Sequence, residues 1–373
     1  MIQRETGLEF ENWNLFGIWC LEFGFKRIMI INAAIIGYGL SGRVFHAPFV
    51  HTHPGFRLHS IVTSGEEAEK QFPEARIVRK FDDVTADREI DLVCICSPNE
   101  FHLKQARQAL LAGKHVVVEK PLTPSVPEAL ELIACARRQQ RHLFPFHNRR
   151  WDGDFLTVRQ ILDQGLLGKP LDFESHFDRY NPEISRAAWR YTTTTAGGTL
   201  YDLGTHLIDQ ALVLFGKPEA LFCRLFNQRQ YSLVDDSFDL KLIYPDLNVT
   251  LKAGVFVREK GPRFCIHGTL GSFVKYGIDP QEDALRKGKS PRGAAWGRDR
   301  RENWGILNTE TNGHVIRGPL ETFPGNYMRF YDNVHQVIGS GTEQAVKPEE
   351  AIATLTVIER AMESHLNRQI VSM

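Results

Sequence analysis

Neither sign of charge is in excess in this sequence: 45 lysines and arginines face 45 aspartates and glutamates, for a formal net charge of zero. That balance removes the electrostatic basis for binding nucleic acid or an anionic membrane surface and leaves small, neutral or mildly polar ligands as the expected partners. Long apolar runs are also missing, so no stretch reads as a membrane span. Cysteine is sparse, and Cys20, Cys94, Cys96, Cys135, Cys223 and Cys265 lack paired C-x-x-C spacing. They read as reduced, mostly core residues of a cytoplasmic protein. His46, His51 and His53 crowd one stretch, but their spacing among proline and glycine defines no coordination geometry, so no metal is expected. Internal repeats, low-complexity tracts and flexible linkers are absent as well.

What is present begins at 33–42, Ala-Ala-Ile-Ile-Gly-Tyr-Gly-Leu-Ser-Gly. The apolar run before it suits a strand buried on both faces of a parallel sheet. Gly37, Gly39 and Gly42 then have the G-x-G-x-x-G spacing: a tight turn, a close backbone approach to a diphosphate, and a close helix–strand contact. Leu40 and Ser41 complete the turn, which would place a diphosphate on a helix N-terminus. Upstream, residues 1–28 are rich in Trp and Phe, are interrupted by acids, and carry their basic residues last. That order opposes a secretory signal, and we expect a dispensable extension, with the first domain starting near Met29.

Strands are expected at 56–63, 75–78, 91–97, 115–118 and 142–146, each joined by helical spacing. In the helix over 99–112, Asn99 is positioned to cap, and Ser125-Val126-Pro127-Glu128 reads as a capping box. The alternation implies a Rossmann-type doubly wound parallel sheet over 29–149. Beyond residue 150 the period changes to two, at 170–180, 238–244 and 249–255. An α+β domain with a large, mostly antiparallel open sheet is therefore expected over 150–373, its free face serving for homo-oligomerisation and its last element an amphipathic helix at 348–366.

Two features carry candidate chemistry. Asp202, His206 and Asp209 are spaced i, i+4, i+7. A carboxylate one turn before a histidine can fix its tautomer for general-base work; the same pattern also fits a solvated helix face. Lys120 ends a parallel strand, at the ligand-binding edge, where it could stabilise an alkoxide or simply be solvated. The second strand ends Val62-Thr63-Ser64, with no carboxylate to hold the ribose of NAD, so Thr63 and Ser64, with Arg43 nearby, favour NADP, with NAD as the alternative.

From about residue 31 onward the chain resembles the glucose–fructose oxidoreductase/inositol dehydrogenase (Gfo/Idh/MocA) family. The resemblance rests on the glycine turn, Ser97-Pro98-Asn99 with His102, Ala112-Gly113-Lys114-His115-Val116, Glu119-Lys120-Pro121, and Gly197-Gly198 followed by Asp202, Gly204, His206 and Asp209. The stretches 38–46, 146–152 and 275–281 look further like its bacterial NADP-dependent scyllo-inositol dehydrogenase branch. The resemblance implies an NAD(P)-dependent oxidoreductase interconverting a secondary alcohol and a ketone on a cyclitol, polyol or sugar. It makes Lys120, Asp202 and His206 the catalytic group, and often sets the lysine–proline bond cis. Ser97, Pro98, Asn99, His102 and Glu119 then join the coenzyme site, and Arg150, Tyr180 and Trp189 become candidate walls of the substrate pocket. An NAD-dependent glycosidase and a non-catalytic sugar sensor are the alternatives the same superfamily offers.

Overall fold

The computed structural model describes residues 29–183 and 195–373; Trp189 and the stretch 1–28 lie outside the described residues. Six strands, β1 (Ile31–Ile36), β2 (Phe56–Val62), β3 (Arg76–Val78), β4 (Leu92–Ile95), β5 (His115–Val118) and β6 (Leu143–Pro145), form one sheet in the order β3-β2-β1-β4-β5-β6. Every pairing in it is parallel. The strand order reverses between β1 and β4, the point at which a parallel sheet of this kind takes its ligand at the carboxyl ends of the strands.

The apolar run of β1 serves both faces of this sheet. Ala34 and Ile36 enter one core together with Val93, Val116 and residues of the second sheet, while Ile31, Ala33 and Ile35 enter another with Phe49, Phe330, Tyr331 and Val334. Two helices from the far end of the chain close those cores. Pro348–Asn367 packs into the first and Met328–Ser340 into the second, so burial on both sides locks the C-terminal half onto the nucleotide-fold sheet.

The second sheet has nine strands: β7 (Pro170–His176), β8 (Ala220–Phe226), β9 (Ser237–Ile243), β10 (Asn248–Ala253), β11 (Phe264–Gly268), β12 (Gly271–Lys275), β13 (Gly305–Thr311), β14 (His314–Leu320) and β15 (Val371–Ser372). Their order is β14-β13-β12-β11-β7-β10-β9-β8-β15, antiparallel throughout except where β7 lies parallel to β10. The period of two is explained by one buried face: Phe173, Phe238, Leu240, Leu242, Val249 and Leu251 point to the helix-covered core. Leu171, placed with the inward set by alternation, is instead 42% exposed near the strand's start, where the core ends.

Both expected caps differ in detail. Asn99 opens a short 3₁₀ turn and makes no capping bond; its Nδ2 donates to the Ala196 carbonyl (2.8 Å), a contact between the two halves of the chain. Ser125 makes no side-chain cap bond either; Glu359 of the C-terminal helix accepts from the first-turn Val126 N–H instead (2.8 Å). There a long-range carboxylate satisfies a donor that the helix itself leaves open. At the start of the last helix Glu350 accepts from the Lys347 N–H (2.7 Å) and so caps it locally.

Candidate active site

The glycine turn divides its three duties as the spacing requires. Gly37 has φ +94°, a conformation that disfavours a side chain, and a Cβ there would press on the Cys96 backbone at 3.1 Å. A Cβ on Gly42 would fall 2.1 Å from the Gly37 carbonyl oxygen, whereas a Cβ on Gly39 would meet nothing within 4 Å. The outer glycines thus shape the turn and the middle one leaves open room above it. A turn of this form fits a dinucleotide diphosphate, which needs bare backbone N–H groups at close range.

Around it, the carboxyl ends of the strands supply the remaining predicted positions. His102, fully buried, sets its two ring nitrogens 2.8 Å from the Pro121 carbonyl and 3.0 Å from the Ser97 carbonyl, tying the β4 and β5 ends together. Burial holds its pKa below the usual histidine value. Ser97 Oγ lies 2.6 Å from Gln105 Oε1, Pro98 leads into the 3₁₀ turn, and the Lys120–Pro121 peptide is cis. Glu119 is spent on the scaffold: one oxygen accepts from Ser41 of the glycine turn and lies 3.0 Å from His46 Nε2, and the other accepts from the Lys120 N–H at 3.0 Å. Although burial alone would raise its pKa, these neighbours bring Glu119 down to about 2, so it is an anion at neutral pH. A carboxylate only accepts, so His46 Nε2 carries the proton. In the neutral ring, Nδ1 then accepts from the Tyr331 hydroxyl 2.6 Å away.

At the ribose end, Thr63 and Ser64 follow β2 as expected, and Arg43 is paired with Glu67 (2.9 Å, both exposed). A residue that sequence reasoning missed lies closer. Arg79, just past β3, donates through Nη1 to the carbonyls of Thr63 (2.7 Å) and Gly65 (3.3 Å). The available signal was its place at the carboxyl edge of a parallel strand, obscured because β3 has only three residues.

Two of the candidate proton-handling residues, Asp202 and His206, come from a helix with an irregular start. Leu200–Gly204 forms one π-helical turn before the α-helix Thr205–Phe215, an irregularity found most often at functional sites. Lys120 Nζ donates to Asp202 twice, to Oδ1 at 2.7 Å and to the backbone oxygen at 2.5 Å. The wider turn redirects the i, i+4 relation: Asp202 engages Lys120, and His206 Nδ1 has no hydrogen-bond partner among the described residues. His206 is buried, which excludes the solvated-face reading. Desolvation first, then the charge of Lys120, with Arg149, His147 and Arg263 beyond, holds its pKa well below the usual value, so the ring is neutral at pH 7.

Asp209, the third member of the spacing, faces elsewhere. It forms a two-point pair with Arg150 (2.9 and 2.7 Å), and Arg150 also reaches Glu350 (3.0 Å) and the Ala345 carbonyl (3.1 Å). The Arg150 guanidinium is thus committed to cross-links within the fold, an arrangement a pocket wall does not require. Tyr180 is 44% exposed, bridges to Phe256, and carries Arg258 over its ring at 3.9 Å.

Comparison with known proteins agrees with this geometry. Residues 31–147 match the oxidoreductase family's NAD-binding Rossmann fold, and residues 159–373 match its C-terminal alpha/beta domain. The scyllo-inositol 2-dehydrogenase (NADP(+)) IolW of Bacillus subtilis is 40% identical over 94% of this chain and 98% of its own length. The uncharacterized oxidoreductase YdgJ of Escherichia coli is 39% identical over 91% and 97%. The solved structure of the putative oxidoreductase yvaA from Bacillus subtilis superposes with a TM-score of 0.90 at 38% identity, covering 93% of this chain and 99% of that one. The chain therefore belongs to the Gfo/Idh/MocA family of oxidoreductases, an enzyme with an NAD(P)-binding Rossmann fold.

Proposed function

We propose that the protein oxidises a secondary alcohol of a cyclitol, polyol or sugar to the ketone with NADP, and catalyses the reverse reduction. The observation that carries this reading is the Lys120–Asp202 pair beside a buried, neutral His206 at the carboxyl edge of the parallel sheet. When bound, the nicotinamide coenzyme supplies the hydride acceptor or donor. Gly37, Gly39, Leu40, Ser41 and Gly42 would hold its diphosphate, with Ser97, Pro98, Asn99, His102 and Glu119 framing the nicotinamide end. Thr63, Ser64 and Arg79 would take the 2′-phosphate. The close relation to an NADP-dependent inositol dehydrogenase supports both the coenzyme and the substrate class.

The chain's own groups divide the proton work. An ammonium has three N–H donors, and two of those on Lys120 point at Asp202, which leaves the third for a substrate oxygen. His206, neutral at pH 7, can take the hydroxyl proton as the carbonyl forms. Lys120 stabilises the negative charge developing on that oxygen, and Asp202 fixes the lysine in place. Arg150, tied to Asp209 and Glu350, and Tyr180, under the Arg258 guanidinium, serve this role less directly than the trio; Trp189 lies outside the described residues.

We assign residues 29–149 to coenzyme binding and 150–373 to substrate binding, the outer face of the nine-stranded sheet to self-association, and the protein to the cytoplasm. Among the described residues no helix is long and apolar enough to cross a membrane. The test is a panel of inositols, linear polyols and aldoses, read by NADPH absorbance at 340 nm. Turnover with NADPH formation on a cyclitol or polyol is expected; aglycone release without net coenzyme reduction would overturn the assignment in favour of a glycosidase.

A further inference from the structure

The chain is balanced overall, but its positive charge is unevenly spread. Residues 286–301 carry seven lysines and arginines against a single acid, Asp299. This segment lines a cleft of about 1000 Å³, together with Arg179 and Lys260. Every carboxylate lining the cleft is already engaged. Glu282 pairs with Arg149 (2.5 Å) and Arg286 (2.7 Å), Asp283 with Lys287 (2.5 Å), Asp299 with Lys275 (2.7 Å), and Glu302 with Arg300 (3.4 Å). Asp178 lies 3.2 Å from His176, and Asp279 accepts from the N–H groups of Gly153 and Gln281 (2.7 and 2.8 Å). By contrast Arg179, Lys260, Lys289, Arg292 and Arg298 line the same space and have no ion pair among the described residues.

The segment is held in place. Lys275, fully buried, grips Asp299 and the Asn303 carbonyl (both 2.7 Å), Trp296 Nε1 donates to Gln281 Oε1 (3.1 Å), and the Gly325 N–H donates to the Gly297 carbonyl (3.0 Å). A fixed set of like charges without counter-charges costs free energy through mutual repulsion, which an anion placed among them removes. The cleft is separate from the redox centre: neither the glycine turn nor Lys120, Asp202 or His206 lines it.

We propose that this cleft binds a small organic phosphate with at least two anionic groups, held by Arg179, Lys260, Lys289, Arg292 and Arg298. Two arguments select the class. The lining gathers five cations without ion pairs, more charge than one monovalent group neutralises, and arginine forks match phosphate oxygens two at a time. The site also reports to the redox centre, because Arg149 lines the cleft and its charge acts on His206. An anion bound there offsets part of that charge.

The test is calorimetric titration of the full-length protein with fructose 1,6-bisphosphate, with fructose and inorganic pyrophosphate as parallel probes, with and without saturating NADPH. A triple variant, Arg179→Gln/Lys289→Gln/Arg298→Gln, changes only exposed side chains, and its thermal melt checks folding. We expect the bisphosphate to bind with and without NADPH, fructose not to bind, and the triple variant to bind at least tenfold more weakly while oxidising an uncharged polyol at the parent rate. Rising salt should weaken binding in the parent. No binding at millimolar bisphosphate, equal affinity in the variant, binding of pyrophosphate alone, or displacement by NADPH would each overturn the proposal. Because the readout is binding without turnover, it stands or falls separately from the polyol reaction.

Discussion

Gly39→Ala and Gly42→Ala form a pair of substitutions whose effects the structure separates. A Cβ at Gly42 would lie 2.1 Å from the Gly37 carbonyl oxygen, where ordinary contact begins at 3.4 Å, so the turn must move by about 1.3 Å. The obstacle is backbone and cannot rotate aside, which puts the penalty at the upper end of overpacking, about 3 kcal/mol. At about 2–4 °C per kcal/mol this lowers the melting temperature by about 6–12 °C. Gly39→Ala meets nothing within 4 Å, so stability should stay within about 0.5 kcal/mol of the parent. Its methyl group, however, stands where a diphosphate must approach the backbone. Losing one charge-assisted hydrogen bond there costs about 1.5–3 kcal/mol, or about 10–150-fold in coenzyme Kd. Differential scanning fluorimetry gives the first quantity and quenching of tryptophan fluorescence by NADPH the second. A Gly39→Ala protein that binds NADPH as tightly as the parent would refute the assignment of this turn to the diphosphate.

Three further outcomes follow from the same geometry. His206→Ala should lower kcat for alcohol oxidation by about 10²–10⁴-fold with little change in NADPH affinity, and adding Lys120→Ala should do little more, because the two act as a unit; a folded variant with parental kcat would refute the base assignment. Since burial and Lys120 hold His206 well below its ordinary value of about 6.5, the acid limb of kcat/KM should lie below that pH, and Lys120→Met should shift the His206 Cε1–H NMR titration upward; an unmoved titration would show that the two groups are not coupled. Arg79→Gln should reduce the NADP-over-NAD ratio of kcat/KM by about 10–100-fold through loss of a charged phosphate contact, whereas an unchanged ratio would return the 2′-phosphate to Thr63 and Ser64 alone.

What could be read in advance divides by sequence distance. The glycine turn, the both-faces burial of β1 and the alternation of the second sheet were legible because each is set within about ten residues by backbone geometry and a burial period. Side-chain fates set across the chain were not. Arg150 looked available for substrate, yet its guanidinium is taken by Asp209, 59 residues away, and Glu350, 200 away. The buried histidine of the glycine-turn helix is fixed by Glu119 and Tyr331, 73 and 285 residues distant, so the crowding of His46, His51 and His53 carried no trace of its role. The same separation explains the proton-handling residues. The Glu119-Lys120-Pro121 and Asp202–His206 motifs proposed them, but which of them touch was not legible, because a single π-helical turn changes the azimuth that i, i+4 spacing assumes. That turn gives Asp202 to Lys120 and leaves His206 in a cationic, desolvated setting that keeps it neutral. A regular α-helix of the same sequence would set Asp202 one turn from His206, where its charge would raise the histidine's pKa. On the proposed roles, the irregular turn separates the lysine's charge-stabilising work from the histidine's proton-accepting work, and it accounts for the one contact that the motif's spacing misassigned.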